Sequence, residues 1–180
     1  LKLAPLSNPG QRKVIMCLIV LAYRVHPDYP VIIAANRDEF YNRPALALHR
    51  WGQGSSVVAG RDLEGGGTWM GVHPNGRMAA LTNYREPGVR IANAPSRGHL
   101  VSDFLQSRQT LNDYLKKIQS KGHDYNGFNL ILSEGDRWVH YSNRGGAPQE
   151  LQPGVHGLSN HLLNTPWPKV VRSCRAMQNH

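Results

Sequence analysis

The chain is short of cysteine, of long apolar runs and of acid. It carries two cysteines, Cys17 and Cys174, which rules out a disulfide framework and suits a reducing compartment. It has no apolar run near the roughly 20 residues that span a bilayer, and its leading segment has no apolar stretch like that of a secretory signal. Together these absences read as a soluble, cytoplasmic protein with no integral membrane segment. Acid is outnumbered, with 21 Lys and Arg against 12 Asp and Glu and a formal net charge of +9. From Cys17 onward the basic residues stand singly (Arg24, Arg50, Arg77, Arg90, Arg108, Arg137), and only Lys116-Lys117 are adjacent. With no basic stripe and no interleaved aromatics, this pattern speaks for a small anionic ligand and against nucleic acid. Nine histidines are present, but His156 and His161, the closest pair, lack helical i,i+4 spacing and companion carboxylates, so no metal site is expected.

At 180 residues the chain suits one domain with a substantial core. Its first fifteen residues show no periodicity and contain Pro5, Asn8, Pro9 and Gly10. They read as an extraneous leader, with the domain running 16–180 from Met16. Cys17–Tyr23 and Val31–Ala35 are apolar runs flanking His26-Pro-Asp-Tyr-Pro30, a hairpin pattern. Because both are apolar at successive positions, both are expected to be covered on two faces. Ser56–Ala59 and Thr68–Val72 are further strand candidates, and His73-Pro-Asn-Gly76 turns into Arg77–Thr82. Leu100, Val101, Phe104 and Leu105 form a helical stripe after Ser96. Thr110 with Asp113 opens a second helix, burying Leu111, Tyr114, Leu115 and Ile118 and stopping at Gly122. Phe128–Leu132 and Arg137–Tyr141 flank a Glu134-Gly-Asp136 turn, and a short strand is expected near Val155–Leu158. Thr165-Pro-Trp-Pro168 opens a last helix. Its stripe of Val170, Val171 and Cys174 runs to His180 without a cap, as in a domain lacking its C-terminal part. The order predicts an α+β fold with helices outside two antiparallel sheets.

Four residues stand out chemically. If Met16 is removed, Cys17 becomes the first residue and carries both a thiol nucleophile and a free α-amine of pKa near 8. Asp38, after the second strand, is the carboxylate placed to orient it. Asn83 and Asn160, each just past a strand, are neutral amides able to donate to an oxyanion. Plainer readings stand beside these: a small buried cysteine, a strand-exit ion pair of Asp38 with Arg37 or Arg43, and ordinary turn asparagines. Gly65-Gly-Gly67-Thr68 lacks the ending of a phosphate loop and reads as a flexible turn into Trp69, a core or pocket-wall residue.

Several blocks, in order, carry a resemblance: Met16-Cys-Leu-Ile-Val20, Ile33-Ala-Ala-Asn-Arg-Asp-Glu-Phe40 with Arg43-Pro44, Gly66-Gly-Thr-Trp-Met-Gly71, Leu81-Thr-Asn-Tyr84, Tyr125-Asn-Gly-Phe-Asn-Leu130, Asn143-Arg-Gly145 and Gly157-Leu-Ser-Asn160 with Thr165-Pro-Trp167. The chain resembles the NRDE family, also called the transport and Golgi organisation protein 2 family, which is similar to the N-terminal-nucleophile (Ntn) hydrolases. The resemblance implies a four-layer αββα sandwich, with Cys17 as terminal nucleophile, Asp38 beside it, and Asn83 and Asn160 near the oxyanion. It puts Asn36, Arg37, Trp69 and Tyr84 at the substrate. One departure is visible: the choloylglycine hydrolase-like branch places Arg three residues before the Asp, where this chain has Ala35. Arg37 is expected on the opposite strand face from Asp38. The implied function is an Ntn-type amidohydrolase cleaving a C–N amide bond of a small-molecule or lipid-like ligand, with no resident cofactor. The alternative is a non-catalytic carrier or chaperone for haem or acyl-lipid on the same fold. A membrane-trafficking scaffold is implied by the family name alone.

Overall fold

Two antiparallel sheets and three helices account for the regular structure of residues 17–179, which the computed structural model describes apart from residues 41 and 53. The expected leader and the expected start at Met16 lie outside the described residues. The smaller sheet has the order β10 (Gly154–Leu158), β1 (Leu18–Tyr23), β2 (Val31–Asn36). The larger is a meander of seven strands in sequence order: β3 (Ala45–Arg50), β4 (Val58–Asp62), β5 (Met70–His73), β6 (Arg77–Asn83), β7 (Phe128–Glu134), β8 (Arg137–Ser142) and β9 (Gln149–Glu150). Helices α1 (Gly98–Gln106) and α2 (Leu111–Lys121) interrupt the meander between β6 and β7, and α3 (Pro168–Gln178) follows β10.

The helices begin where local chemistry directs. Thr110 Oγ1 accepts from the Asp113 amide at 3.2 Å and caps α2, satisfying one of the orphan donors of the first turn. Pro168 occupies the first turn of α3, where its missing N–H costs nothing. The Gly65-Gly66-Gly67 run is not the flexible turn its composition suggests. It packs against the start of α1, and a Cβ on Gly67 would sit 2.5 Å from the Gly98 carbonyl carbon. Gly66 and Gly67 also take φ of 65° and 64°, a region costly for residues with a Cβ.

Alternation along the strands sorts side chains into two cores. Ala79, Leu81, Leu130, Leu132, Val139 and Tyr141 face α1 and α2 and pack on Leu100, Phe104, Leu111 and Tyr114. The opposite faces of β6, β7 and β8 present Met78, Ala80, Ile131 and Trp138 to Ile19, Leu21 and Tyr23 of β1. On the far side of the small sheet α3 lies close, since a Cβ on Gly157 would meet Val170 Cγ1 at 2.5 Å and Cys174 Sγ at 2.7 Å. The packing order is therefore helices, seven-stranded sheet, three-stranded sheet, helix.

Three local expectations need correction. β1 is buried on both faces, but β2 is not: Ala34, Ala35 and Asn36 are exposed. β2 is the last strand of its sheet, so it lacks a neighbour on one side among the described residues. Its apolar run alone could not reveal an edge position. Strands β3 and β9 carry no period-2 signal strong enough to announce them, and β4 starts at Val58, two residues after the expected start at Ser56. Finally, Arg37 and Asp38 both line one cavity. They follow the end of β2, where strand alternation no longer assigns opposite faces.

Candidate active site

Cys17 immediately precedes the central strand of the small sheet and is 8% exposed. Its main chain is held from two directions. Ser159 Oγ donates to the Cys17 carbonyl at 2.8 Å and Lys169 Nζ donates to the same oxygen at 2.9 Å. Its thiol lies 3.9 Å from the Asp38 carbonyl oxygen, a weak sulfur hydrogen bond. Burial pushes the thiol above its ordinary value; the Asp38 carbonyl contact, Arg37 and Lys169 pull in the opposite direction without cancelling it. Burial therefore favours the thiol over the thiolate, which is the reactive form.

The thiol opens on a cavity of about 340 Å³ whose wall includes Arg37, Asp38, Trp69, Asn83 and Arg97. Asn36 stands outside that wall and donates from Nδ2 to Asp38 Oδ1 at 2.9 Å; it orients the carboxylate. Asn83 ends β6 and lines the cavity. Asn160 is buried behind it and donates from Nδ2 to the Asn83 carbonyl at 2.9 Å, while its own carbonyl accepts from the Arg85 amide at 2.8 Å. Tyr84 is turned away to His161, whose Nε2 lies 3.0 Å from the tyrosine hydroxyl. Of the residues expected from sequence, then, Cys17, Arg37, Asp38, Trp69 and Asn83 share the cavity. Asn36 and Asn160 support it, and Tyr84 belongs to a neighbouring cluster.

One side of the cavity is a braced ion-pair network. Asp62 receives Arg37 at 2.7 Å and Arg43 at 2.8 Å, and Arg43 also reaches Glu64 at 3.2 Å. Burial alone would raise the Asp62 carboxyl, but Arg43 and the amides of Gly65 and Glu64 outweigh it and hold it below its ordinary range. Arg37 is therefore committed to Asp62 and Glu39. In the wall it serves as a brace.

Sequence reasoning missed Lys169, Ser159, Asp62 and Arg97. Ser159 lies inside a block that carried the resemblance. Lys169 gave no signal, because a lone lysine opening a helix reads as solvated. In fact a cation in the first turn opposes the helix dipole, so its position is better explained by the Cys17 carbonyl it holds.

A family model described as Transport and Golgi organisation 2 matches residues 16–180. The chain is 47% identical over 168 residues to the Transport and Golgi organization protein 2 homolog of Bos taurus, covering 86% of this chain and 60% of that protein. It is 44% identical over 168 residues to the Homo sapiens homolog, with the same coverage. Against the Drosophila melanogaster Transport and Golgi organization protein 2 the identity is 30% over 175 residues, 86% of this chain and 61% of the relative. The chain thus spans less than two thirds of the length of these relatives.

Proposed function

The chain belongs to the Transport and Golgi organisation 2 family, and from that premise and the surroundings of Cys17 we propose an amide-bond hydrolase of the N-terminal-nucleophile type. The observation that carries this reading is a buried cysteine at the head of a central strand, opening on a cavity shared with Asp38 and Asn83. The order of packing layers supports the Ntn-type αββα assignment. The thiol makes a hydrogen-bond contact to a carbonyl oxygen, that of Asp38, which accepts its proton's hydrogen bond without being a base strong enough to remove it. A cysteine α-amine, exposed once Cys17 is the first residue, supplies that base with a pKa near 8.

The steps then balance. Cys17 Sγ bonds to the amide carbonyl carbon as its proton passes to the α-amine, and Asn83 Nδ2 donates to the oxyanion. The C–N bond breaks as the ammonium returns that proton to the leaving nitrogen, giving an amine and a Cys17 thioester. Water attacks the thioester carbonyl, its proton going to the α-amine and then to the departing sulfur, and the carboxylic acid leaves. Asp38 fixes the terminal ammonium. Asn160 holds the Asn83 backbone in place and touches no substrate.

A second reading, carriage of an acyl-lipid, draws on an apolar trough of about 450 Å³ between β1, β2 and α3, lined by Leu18, Val20, Ala34, Ala35, Ala176 and Met177. Haem is less well served at Cys17, where the walls are charged and burial disfavours the thiolate. The test is intact-mass and turnover measurement of full-length protein beginning at Cys17 against a panel of amides, with hemin and a fatty acid as binding controls. The proposal expects a thioester mass adduct and amide turnover that both vanish in Cys17→Ala. No adduct on any amide, with retention of the fatty acid, would replace hydrolysis with carriage.

A further inference from the structure

Opposite the braced Asp62 network, the wall of the Cys17 cavity carries two arginines with a different standing. Arg97, next to the first residue of α1, is half-buried and donates one N–H to the Gly127 carbonyl at 2.9 Å. Arg90, on the exposed connection between β6 and α1, lines the same cavity. Among the described residues neither has a carboxylate within ion-pair range, whereas Arg37 and Arg43 are matched by Asp62, Glu39 and Glu64. Desolvating a guanidinium without a paired counter-charge is unfavourable. Burial first and then the proximity of Arg43 and Arg90 disfavour the charged form of Arg97, while Glu39 and Cys17 oppose them and Glu86, whose carboxyl Arg97 helps to lower, stands near without closing an ion pair. Among the described residues the Gly127 carbonyl takes one N–H of the guanidinium, which leaves most of the five-donor fork for a ligand.

The Arg90 segment is also held in place. The Asn126 side chain accepts from the Ile91 amide at 2.8 Å and donates back to the Ile91 carbonyl at 3.4 Å. Asn126 lines the cavity too. Both arginines thus line one partly open cavity together with Cys17, a setting where a planar fork suits a carboxylate or phosphate.

We propose that the Cys17 cavity is built for an anionic substrate, whose carboxylate or phosphate is taken up by Arg97 and Arg90 while its amide carbonyl lies at Cys17. This rests on the hydrolase reading for the placement of the carbonyl, but the anion site stands on the arginines alone. The cavity of about 340 Å³ suits a small acyl group and its anion. Arg97 and Arg90 touch substrate, and Asn126 is a positioning residue for Arg90.

The test is calorimetric titration of full-length Cys17→Ala protein with glutarate, 3-phosphopropionamide and the uncharged glutaramide, repeated with Arg97→Gln, Arg97→Lys and Arg90→Gln added. Glutarate or 3-phosphopropionamide should bind at least about tenfold more tightly than glutaramide and weaken with added salt. Arg97→Gln should remove about tenfold of that preference, Arg90→Gln about threefold, and Arg97→Lys should restore part of it. Which of the two anions binds more tightly assigns the substrate as carboxylate or phosphate. Equal binding of glutaramide, or a preference unchanged in both Arg97→Gln and Arg90→Gln, would overturn the anion site. Because Arg90 is exposed, its variant keeps the test valid even if Arg97→Gln fails to fold. Arginine-dependent anion binding without any acylation of Cys17 in the unsubstituted protein would remove the hydrolase reading and leave the anion site standing.

Discussion

The two faces of β7 divide the molecule's labour. Phe128, Leu130 and Leu132 point to α1 and α2 in a layer without a buried polar side chain from that strand. On the other face Asn129, Ile131 and Ser133 look toward the small sheet, and the cross-strand row through Asn129 is polar. There Thr82, Asn129 and Ser142 stand side by side across β6, β7 and β8. Thr82 Oγ1 donates to the Ser159 carbonyl, and Asn129 Nδ2 donates to the Thr82 hydroxyl at 3.2 Å and the His161 carbonyl at 3.0 Å. Ser159 in turn holds the Cys17 carbonyl. One face of the sheet supplies apolar burial; the other gives some of it up so that the Cys17 backbone is fixed by hydrogen bonds. The trade is incomplete, since Asn129 Oδ1 and His140 Nε2 are buried without a protein partner among the described residues, the kind of exception that collects near working sites.

The largest effect should come from breaking the apolar face. Phe128 is fully buried against Tyr125 and Tyr141, and Phe128→Ala should cost about 3–5 kcal/mol through lost burial and an unfilled cavity. Chemical denaturation measures it. Cys17 reactivity, counted per folded molecule, should not change, and a parallel loss of reactivity would show that the two faces are not separate.

A smaller effect sharpens the contrast on the polar face. Burial lowers His140 from 6.5 to about 4, so the native state resists a proton that the unfolded chain accepts. The unfolded state binds more protons as pH drops below 6.5, so this contribution is complete above 6.5 and is lost as pH falls toward 4. The shift corresponds to about 3 kcal/mol. Stability measured against pH in His140→Leu should lack this slope between 6.5 and 4, leaving only carboxylate effects such as those of Asp62 and Glu86, whose lowered values act below their ordinary range. Identical slopes in the two proteins would remove His140 from the account.

The same division explains what could be read without coordinates. The helix-facing core was legible, because Leu100, Val101, Phe104 and Leu105 and the Leu111–Ile118 stripe follow helical spacing, and Asn75-Gly76 and Gly135-Asp136 mark tight turns. Cys17, Asp38 and Asn83 could be named from motif order, and they do share a cavity. What escaped was carried by contacts distant in sequence. Lys169 meets Cys17 across 152 positions and Asn160 meets Asn83 across 77, and no local period encodes such pairs. Arg97 was equally silent, because an arginine's charge shows in sequence, while the lack of an ion-paired carboxylate among the described residues appears only once the carboxylates are placed. β2 was misjudged for a related reason, since whether an apolar strand lies at an edge is decided by its neighbours.

The central claim is that Cys17 acts with its own amine as base, and the most direct measurement compares full-length protein beginning at Cys17 with the same protein retaining Met16 ahead of it. Each is exposed to one amide substrate and read by intact mass and product release. The account predicts thioester formation and turnover in the first and neither in the second, with both forms equally folded by thermal melting. Equal acylation with Met16 in place, or a Cys17-first protein inert to every amide that its cavity binds, would contradict it.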